Sequence, residues 1–364
     1  MSAQRRQLPH QSDRLFMTDG GLETTLIFQD GIDLPAFAAF DLMKSEEGMQ
    51  RLREYYRRYV VMAHALGLGI VLEAPTWRAN ADWATQLGYD EVSLARVNRR
   101  SIGMLATLRQ AYETAGTPIV LSGCLGPRGD GYRVYGRMTA AQARDYHAVQ
   151  IDTFAGTEAD MMAAFTMNYV DEALGIVLAA RGAQMPVAIS FTVETDGRLP
   201  SGDTLQEAIE RTDRETDGYP AYYMINCAHP THFHHVLSDE RHPGDSQDSA
   251  TTSRHPGDSR DPELPGWRMR IAGIRANAST RSHAELDEST ELDDGDPVEL
   301  GRQYVALRGL LPRLTVVGGC CGTDHRHVES ICRAMSDVAA PVSIPIASSS
   351  GADALRGGTR LPAG

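Results

Sequence analysis

The stretch Leu314-Thr-Val-Val-Gly-Gly-Cys-Cys-Gly322 joins a short apolar run to a glycine turn that carries two adjacent cysteines, Cys320 and Cys321. The β-branched residues at its start predict a buried strand over Leu314–Val317. Adjacent side chains normally diverge, so the two thiols can face one ion only if glycine allows a backbone with positive φ. The stretch therefore predicts a strand that ends at a pair of thiols.

The same kind of strand recurs along the 364 residues, and amphipathic segments lie between most of the strands. The other predicted strands are Arg14–Thr18, Gly69–Ala74, Ile119–Gly123, Ala159–Ala164, Pro186–Phe191, Tyr222–Ile225 and Arg270–Arg275. The clearest helical patterns are Glu46–Leu66, Val92–Thr114, Ala140–Phe154, Val170–Ala180 and Val298–Leu310. Eight strand–helix units predict an α/β fold, a (β/α)8 barrel of the TIM type. A doubly wound sheet is the alternative, but no Gly-x-Gly-x-x-Gly follows a strand.

Composition divides the chain into a barrel and three polar segments. We expect a polar N-terminal tail over residues 1–13, the barrel over 14–338 and a low-complexity tail over 339–364. A disordered insertion is predicted at 238–265, where the hexapeptide Arg-His-Pro-Gly-Asp-Ser occurs twice. Its histidines are better explained by this duplication than by metal binding.

The charge balance and the cysteine count exclude several classes of protein. A formal net charge of −13 argues against binding to duplex nucleic acid or an anionic membrane. Five cysteines are too few for a secreted disulfide scaffold, and the N-terminus lacks the apolar segment of a signal peptide. No stretch has the length of a membrane span. We expect a cytoplasmic protein with reduced thiols and small-molecule partners, and the sequence leaves a homo-oligomer open.

A third cysteine, Cys227, ends the predicted strand Tyr222–Ile225. The carboxyl ends of barrel strands meet at one mouth, so Cys227 should lie near Cys320 and Cys321. Three protein ligands with a fourth position left open are typical of catalytic Zn²⁺. The cysteine pair alone would also fit buried neutral thiols, a vicinal disulfide or a structural zinc site.

Three thiolates favour one type of chemistry. With Zn²⁺ they form a site of net charge near −1, which is a poor Lewis acid for hydrolysis. Such a site can hold a fourth thiolate that stays deprotonated and electron-rich at neutral pH. The thiol set therefore indicates alkylation of a thiol, with the methyl group taken from a donor whose leaving group is neutral.

The chain resembles the homocysteine S-methyltransferase family from about Phe16 to Met335. The matching motifs are Asp19-Gly20-Gly21, Ser190-Phe191-Thr192, Asn226-Cys227 and Gly318-Gly319-Cys320-Cys321-Gly322. The resemblance implies a (β/α)8 barrel, zinc on Cys227, Cys320 and Cys321, and homocysteine sulfur as the fourth ligand. It also implies methionine as product and a small-molecule donor such as S-methylmethionine or betaine.

The resemblance further implies that Asp19 holds the ammonium group of homocysteine and that nearby backbone amides receive its carboxylate. We predict substrate contacts at Asp19, Gly20, Gly21, Glu73, Thr76 and Asn226.

One departure affects the acceptor. The family commonly has a Glu-Thr pair after strand four, whose Glu also holds the ammonium, whereas this chain has Phe165-Thr166. Either another carboxylate takes that role, with Glu73 and Glu194 as candidates, or the acceptor is a different thiol. A barrel that binds zinc or a thiol without catalysis is a further alternative, and so is a lyase or hydrolase with incidental cysteines.

Several residues have two possible roles. Trp77, Trp83 and Tyr132 could line a cationic donor by cation–π contact, or they could be packing residues. Cys124 is expected to be a small residue at a turn and not a fourth ligand. The remaining expectations are a core position for Cys332 and capping or surface positions for His325 and His327.

Overall fold

Eight parallel strands close into a barrel in the order in which they follow one another along the chain. This computed structural model describes residues 7–238 and 265–337. The strands are β1 (Phe16–Met17), β2 (Gly69–Glu73), β3 (Ile119–Leu125), β4 (Met161–Met167), β5 (Val187–Phe191), β6 (Tyr222–Asn226), β7 (Ile271–Ala276) and β8 (Val316–Gly319). The prediction of a TIM-type (β/α)8 barrel is confirmed.

Helices follow the strands and surround the barrel. They are α1 (Leu22–Thr24), α2 (Glu46–Leu66), α3 (Ala81–Gln86), α4 (Glu91–Tyr112), α5 (Ala140–Ala155), α6 (Val170–Gly182), α7 (Leu205–Thr216), α8 (Pro230–Ser238), α9 (His283–Asp287), α10 (Pro297–Leu310) and α11 (His325–Asp337). Helix α2 has the bounds that the sequence predicts, because Ser45 accepts a hydrogen bond from the Gly48 amide and Gly67 ends the helix with φ 66°.

The strands differ most from their predicted bounds at β4, which begins two and ends three residues later than predicted, and at the seam of the barrel between β1 and β8. Strand β1 has only two residues, Phe16 and Met17, which pair with both β2 and β8. Strand β8 begins two residues later than predicted and includes Gly318 and Gly319. A side chain at Gly318 would collide with Thr18, so glycine permits the close approach of β8 to the end of β1.

Alternate residues of each strand fill the barrel interior. Val71 of β2 belongs to this interior cluster, and the residue two places further along, Glu73, therefore points inward as well. Leu8, which is 6% exposed, packs into the same cluster. The polar tail over 1–13 stays a prediction; within its described part, Leu8 and Pro9 are buried, and Leu8 has apolar partners in the barrel interior.

The two other polar segments fall largely outside the described residues. The predicted insertion 238–265 is described only at Ser238, where α8 ends, and at Pro265; the C-terminal tail 339–364 is not described. Helix α8 runs back from the mouth, so the two ends of the insertion lie at the opposite, N-terminal face of the barrel. In the described ranges, no helix is both long and apolar enough to cross a membrane.

Candidate metal centre

Three cysteines meet at the mouth of the barrel. Cys227 directly follows β6, and Cys320 and Cys321 directly follow β8. Their sulfur atoms all lie within 4.8 Å of one another. Among the residues that the structure describes, no other group of three His, Cys, Asp or Glu side chains is placed to share an ion. Cys227 lies far along the chain from Cys320 and Cys321, unlike the closely spaced ligands of a zinc finger, and the closed barrel brings the three sulfurs together.

The backbone holds these thiols in an unusual conformation. Cys227 itself has φ 54°, a left-handed value that is uncommon for a residue with a side chain. Its amide donates to Arg275 O, and the amide of Cys320 donates to Ala276 O, which fixes both turns to the end of β7. In the cysteine turn, the positive φ expected of glycine falls at Gly322, with 79°. The positive φ that glycine permits therefore occurs after the cysteine pair, at Gly322, and not before the pair at Gly318 or Gly319.

The sulfur atoms of Cys227 and Cys320 are in direct contact, with the two Cα atoms 5.5 Å apart, and Cys321 lies beside them. The sequence led us to expect reduced thiols at all three positions. Oxidation of Cys227 and Cys320 to a disulfide would exclude a metal that uses both sulfurs, because only the thiolate form binds a metal. Burial raises the pKa of Cys321 to about 11, so a thiolate here needs a cation beside it. The donor set therefore fits a soft divalent metal once the thiols are reduced.

Each sulfur also has one neighbouring hydrogen-bond donor. The Thr166 hydroxyl lies 3.8 Å from Cys227 Sγ, and Asn226 Nδ2 lies 4.0 Å from Cys320 Sγ. The Tyr132 hydroxyl lies 3.7 Å from Cys321 Sγ. Such donors lower the charge density of a thiolate and orient it.

Asn226 joins these contacts into a network. Its Oδ1 accepts from the Thr166 amide at 2.9 Å and from the Ser190 hydroxyl at 2.6 Å. Its Nδ2 donates to Thr166 Oγ1 at 2.9 Å as well as approaching Cys320. Both polar atoms of the Asn226 side chain therefore have protein partners, whereas we predicted a substrate contact. The sequence did not reveal that the Thr166 hydroxyl contacts Cys227. The only indication was that Thr166 belongs to the Phe165-Thr166 pair, which stands where the family commonly has Glu-Thr.

A cavity of about 420 Å³ opens beside the sulfurs, a volume that suits small molecules. Its lining includes all three cysteines and, of the other predicted site residues, Asp19, Gly20, Gly21, Glu73 and Asn226. Thr76 is not part of the lining. Its hydroxyl is fully buried and donates to Cys124 O at 2.8 Å, so it joins the ends of β2 and β3.

Asp19 has protein partners at both carboxylate oxygens. Arg275 Nη2 donates to Oδ1 at 2.6 Å, and the Tyr55 hydroxyl donates to Oδ2 at 3.1 Å. Arg275 also donates to Gly20 O and Gly319 O, and its guanidinium lies 5.1 Å from the Phe165 ring centroid. The sequence did not reveal the role of Arg275, although this residue is the one charge within the apolar run that forms β7.

Gly20 and Gly21 bring the end of β1 against the cysteine turn. A Cβ at Gly21 would collide with Cys320 O, and one at Gly20 would lie 2.9 Å from Thr323 O. The Gly21 amide already donates to Thr323 O at 2.9 Å. In this structure these glycines therefore support the cysteine turn, and the Gly21 amide has a protein acceptor.

The two carboxylates offered as substitutes for the missing family Glu lie in different surroundings. Glu73 lines the cavity, is 4% exposed, and its Oε2 has no hydrogen-bond partner among the described residues. Burial raises the pKa of Glu73 to about 7. Glu194 lies outside the cavity lining and contacts His283 Nδ1 at 3.2 Å. Phe165 lies within β4, not after it, and lines the cavity.

The three aromatic candidates are all engaged with other side chains. The Arg78 guanidinium lies 4.1 Å from the Trp77 ring and 3.9 Å from the Trp83 ring. Tyr132 stacks on His283 with the ring centroids 4.0 Å apart. Trp77 and Tyr132 line the cavity, whereas Trp83 does not.

Cys124 and the two histidines differ in part from expectation. Cys124 lies inside β3 and not at a turn, and it is not a member of the three-sulfur group. His327 accepts from the Asp324 amide at 3.1 Å, which confirms a capping role, but it is fully buried and not at the surface. His325 begins α11, and Cys332 is buried in the core.

A TIM-type barrel with three thiols at the carboxyl ends of its strands has its candidate site where barrel enzymes carry their active sites. The family model "Homocysteine S-methyltransferase" matches residues 16–335, and the chain belongs to this family. It is accordingly a methyltransferase-type enzyme, and the family supports methyl transfer to homocysteine.

Solved structures of one relative share the fold. The homocysteine methyltransferase MmuM of Escherichia coli in its metallated form has a TM-score of 0.64 at 16% identity, covering 88% of this chain and 96% of that one. Its oxidized form has a TM-score of 0.65 at 16% identity, with 89% and 97% covered. No curated protein sequence matches the chain.

Proposed function

We propose that this protein transfers a methyl group from a small cationic donor, such as S-methylmethionine or betaine, to the thiol of homocysteine, and that it needs zinc to do so. The products are methionine and the demethylated donor. The observation that carries the proposal is the meeting of three sulfurs, from Cys227, Cys320 and Cys321, at the wall of one small-molecule cavity. A cytoplasmic location would keep these thiols reduced.

The donor set supports zinc as the metal. Three sulfur ligands from two strand ends form the protein part of an open tetrahedral site, and sulfur selects zinc over the hard cations magnesium and calcium. When bound, the metal would keep the acceptor sulfur deprotonated at neutral pH. The hydroxyls of Thr166 and Tyr132 and the amide of Asn226 would orient the three protein sulfurs.

The cavity supplies the rest of the chemistry. It holds acceptor and donor together, so that a methyl carbon can approach the acceptor sulfur in line with its leaving group. A sulfur–carbon bond forms, the bond from the methyl group to sulfur or nitrogen of the donor breaks, and the thiol proton is released to solvent. The donor leaves without its positive charge. Acidic side chains at the cavity, including Glu23 and Glu73, favour a cationic donor before the transfer.

Metal content and turnover test the proposal. Under a reductant that does not bind metal, the wild type should contain about one zinc per chain. Cys320→Ala should lose most of the zinc and the methyl transfer while keeping its circular dichroism spectrum, since the barrel core does not include the site. Cys332→Ala is the matched control, because this cysteine is buried in the core and should leave zinc content unchanged. A reduced wild type without zinc, or full transfer by Cys320→Ala, would contradict the proposal.

A second candidate is transfer to a thiol other than homocysteine. Phe165 favours it, since this side chain lines the cavity where the family resemblance implies a carboxylate. A panel of thiols, assayed with each donor on the zinc-loaded protein, separates the two. A protein that binds zinc and thiols but transfers no methyl group would be a non-catalytic member of the family.

A further inference from the structure

We propose that Glu73, and not Asp19, is the carboxylate that binds the ammonium group of the acceptor, and that Arg275 causes this change by neutralising Asp19. The inference rests on the proposed function, since it concerns the acceptor of that reaction. It names a specificity residue and a positioning residue at the cavity. Three observations carry it.

The first observation is that Asp19 is already satisfied. A guanidinium stays charged under all ordinary conditions, and Arg275 Nη2 lies 2.6 Å from Asp19 Oδ1. The Tyr55 hydroxyl takes the other oxygen. The ion pair is buried, with side-chain exposures of 10% for Arg275 and 7% for Asp19. An incoming ammonium would have to compete with a cation that is covalently part of the protein.

The second observation is that Glu73 has the opposite surroundings. It points into the barrel from the end of β2, it lines the cavity, and its Oε2 is buried without a partner among the described residues. A buried carboxylate oxygen without a donor is unfavourable, so a ligand that brings N–H donors and a positive charge would be stabilised there. No ion pair within 4.0 Å joins Glu73 to Arg275 in the described part of the chain.

The third observation is the charge balance of the buried residues around Glu73. Arg275 and Asp19 cancel each other and Phe165 brings no charge, so an ionised Glu73 keeps its negative charge for a ligand. Glu23, a second carboxylate at the cavity, adds negative charge there. The charged and titratable groups that act on Glu73 or respond to it are Arg275, Asp19, Cys124 and Tyr222. The Ser122 hydroxyl also lies close enough to the Glu73 carboxyl to lower its pKa, and within the described ranges it is the one uncharged donor that acts on this group. Burial raises the pKa of Glu73 to about 7, and a bound ammonium would lower it again.

The test compares two thiols that differ only in the amino group. Homocysteine and 4-mercaptobutyrate, its analogue without the amino group, are titrated into the zinc-loaded protein by calorimetry. The wild type should prefer homocysteine by roughly ten- to a hundredfold, the effect of one charge-assisted hydrogen bond. Glu73→Gln should reduce this preference to about threefold or less. Glu194→Gln is the matched control and should keep it, because Glu194 lies outside the cavity lining.

The outcomes separate this inference from the proposed function. Zinc content and methyl transfer to any thiol test the function alone. If both are present and Glu73→Gln keeps the full preference for homocysteine, the inference is wrong and Asp19 regains its predicted role. Equal affinity of the wild type for both thiols also overturns it, and this measurement needs no variant. If Glu73→Gln fails to fold, Glu73→Asp replaces it in the test. This variant keeps the negative charge but holds it one methylene further from the ligand, so it should lose part of the preference for homocysteine.

Discussion

Thr166 is a β-branched residue with φ 61°, a conformation that such residues rarely adopt. Asn226 Oδ1 accepts from its amide, and the Thr166 hydroxyl is thereby directed at Cys227 Sγ. Cys227 also has a left-handed backbone, so two unusual residues, one in β4 and one directly after β6, face each other at the proposed metal centre. Such conformations persist only where the surroundings enforce them, and they cluster at functional sites.

The Thr166 hydroxyl therefore gives a prediction about metal affinity. Thr166→Val keeps the shape of the side chain but removes the donor, and it should weaken zinc binding about tenfold, as loss of an outer-shell partner does. Thr166→Ser keeps the hydroxyl and serves as the control. Competition with a chromophoric chelator measures both affinities. Equal zinc affinity in the valine and wild-type proteins would show that the hydroxyl does not act on the sulfur.

At the scale of single residues, the sequence predicted that the three cysteines meet, but it predicted few of the contacts that surround them. The three thiols end strand-like runs, and the barrel rule then brings them together. The ion pair of Arg275 with Asp19 joins positions that are 256 residues apart. No local pattern could reveal that contact. The closeness of Thr166 to Cys227 depends likewise on the exact end of β4, which the sequence predicted three residues too early.

At the scale of elements, two turns support one another. The turn after β1, with Gly20 and Gly21, packs on the turn after β8 that carries Cys320. The Gly21 amide donates to Thr323 O, and the Gly322 amide donates to Thr24 Oγ1 at 3.2 Å. The cysteine turn is therefore held from outside by a turn that contributes no ligand.

This packing predicts that Gly21→Ala impairs metal binding without unfolding the barrel. The new methyl group would meet Cys320 O and force the two turns apart, which should lower zinc content well below one per chain. Gly309→Ala, on the exposed face of α10 with nothing near its Cβ position, is the control and should retain zinc. Metal analysis on the folded fraction gives the result. A full zinc complement in Gly21→Ala would mean that the turns can separate at no loss to the site.

Helices were easier to predict than strands for a physical reason. Helix α2 has local signals at both ends, a serine cap and a glycine with positive φ, which act within a few residues. Strand β1 has no such signal. Its length depends on how many residues can pair with β2 and β8 at once, and only two do. Strand ends are set by distant partners, and these ends position the site residues.

At the scale of the molecule, the N-terminal segment closes part of the barrel interior. Leu8 is buried against interior residues, and the rings of His10 and Tyr222 lie 5.4 Å apart. Leu8→Ala should lower the free energy of unfolding by about 2–3 kcal/mol through the cavity that it leaves. Asp13→Ala, at an exposed position, should change it by less than about 0.5 kcal/mol. Denaturation with urea measures both, and an unchanged midpoint for Leu8→Ala would show that the segment adds no stability.

The position of the insertion has a consequence for how the chain can evolve. It leaves α8 at Ser238 and rejoins at Pro265, at the face of the barrel opposite the cysteines. If the predicted insertion is a loop, lengthening it would cost little entropy of closure, so we expect growth there to be nearly neutral for stability. The hexapeptide repeated at 241–246 and 254–259 is the pattern that we expect from duplication at such a tolerant position. We expect the same position to accept a fused domain or an affinity tag, whereas the turns of Gly21 and Cys320, which pack directly on each other at the mouth, should tolerate few changes.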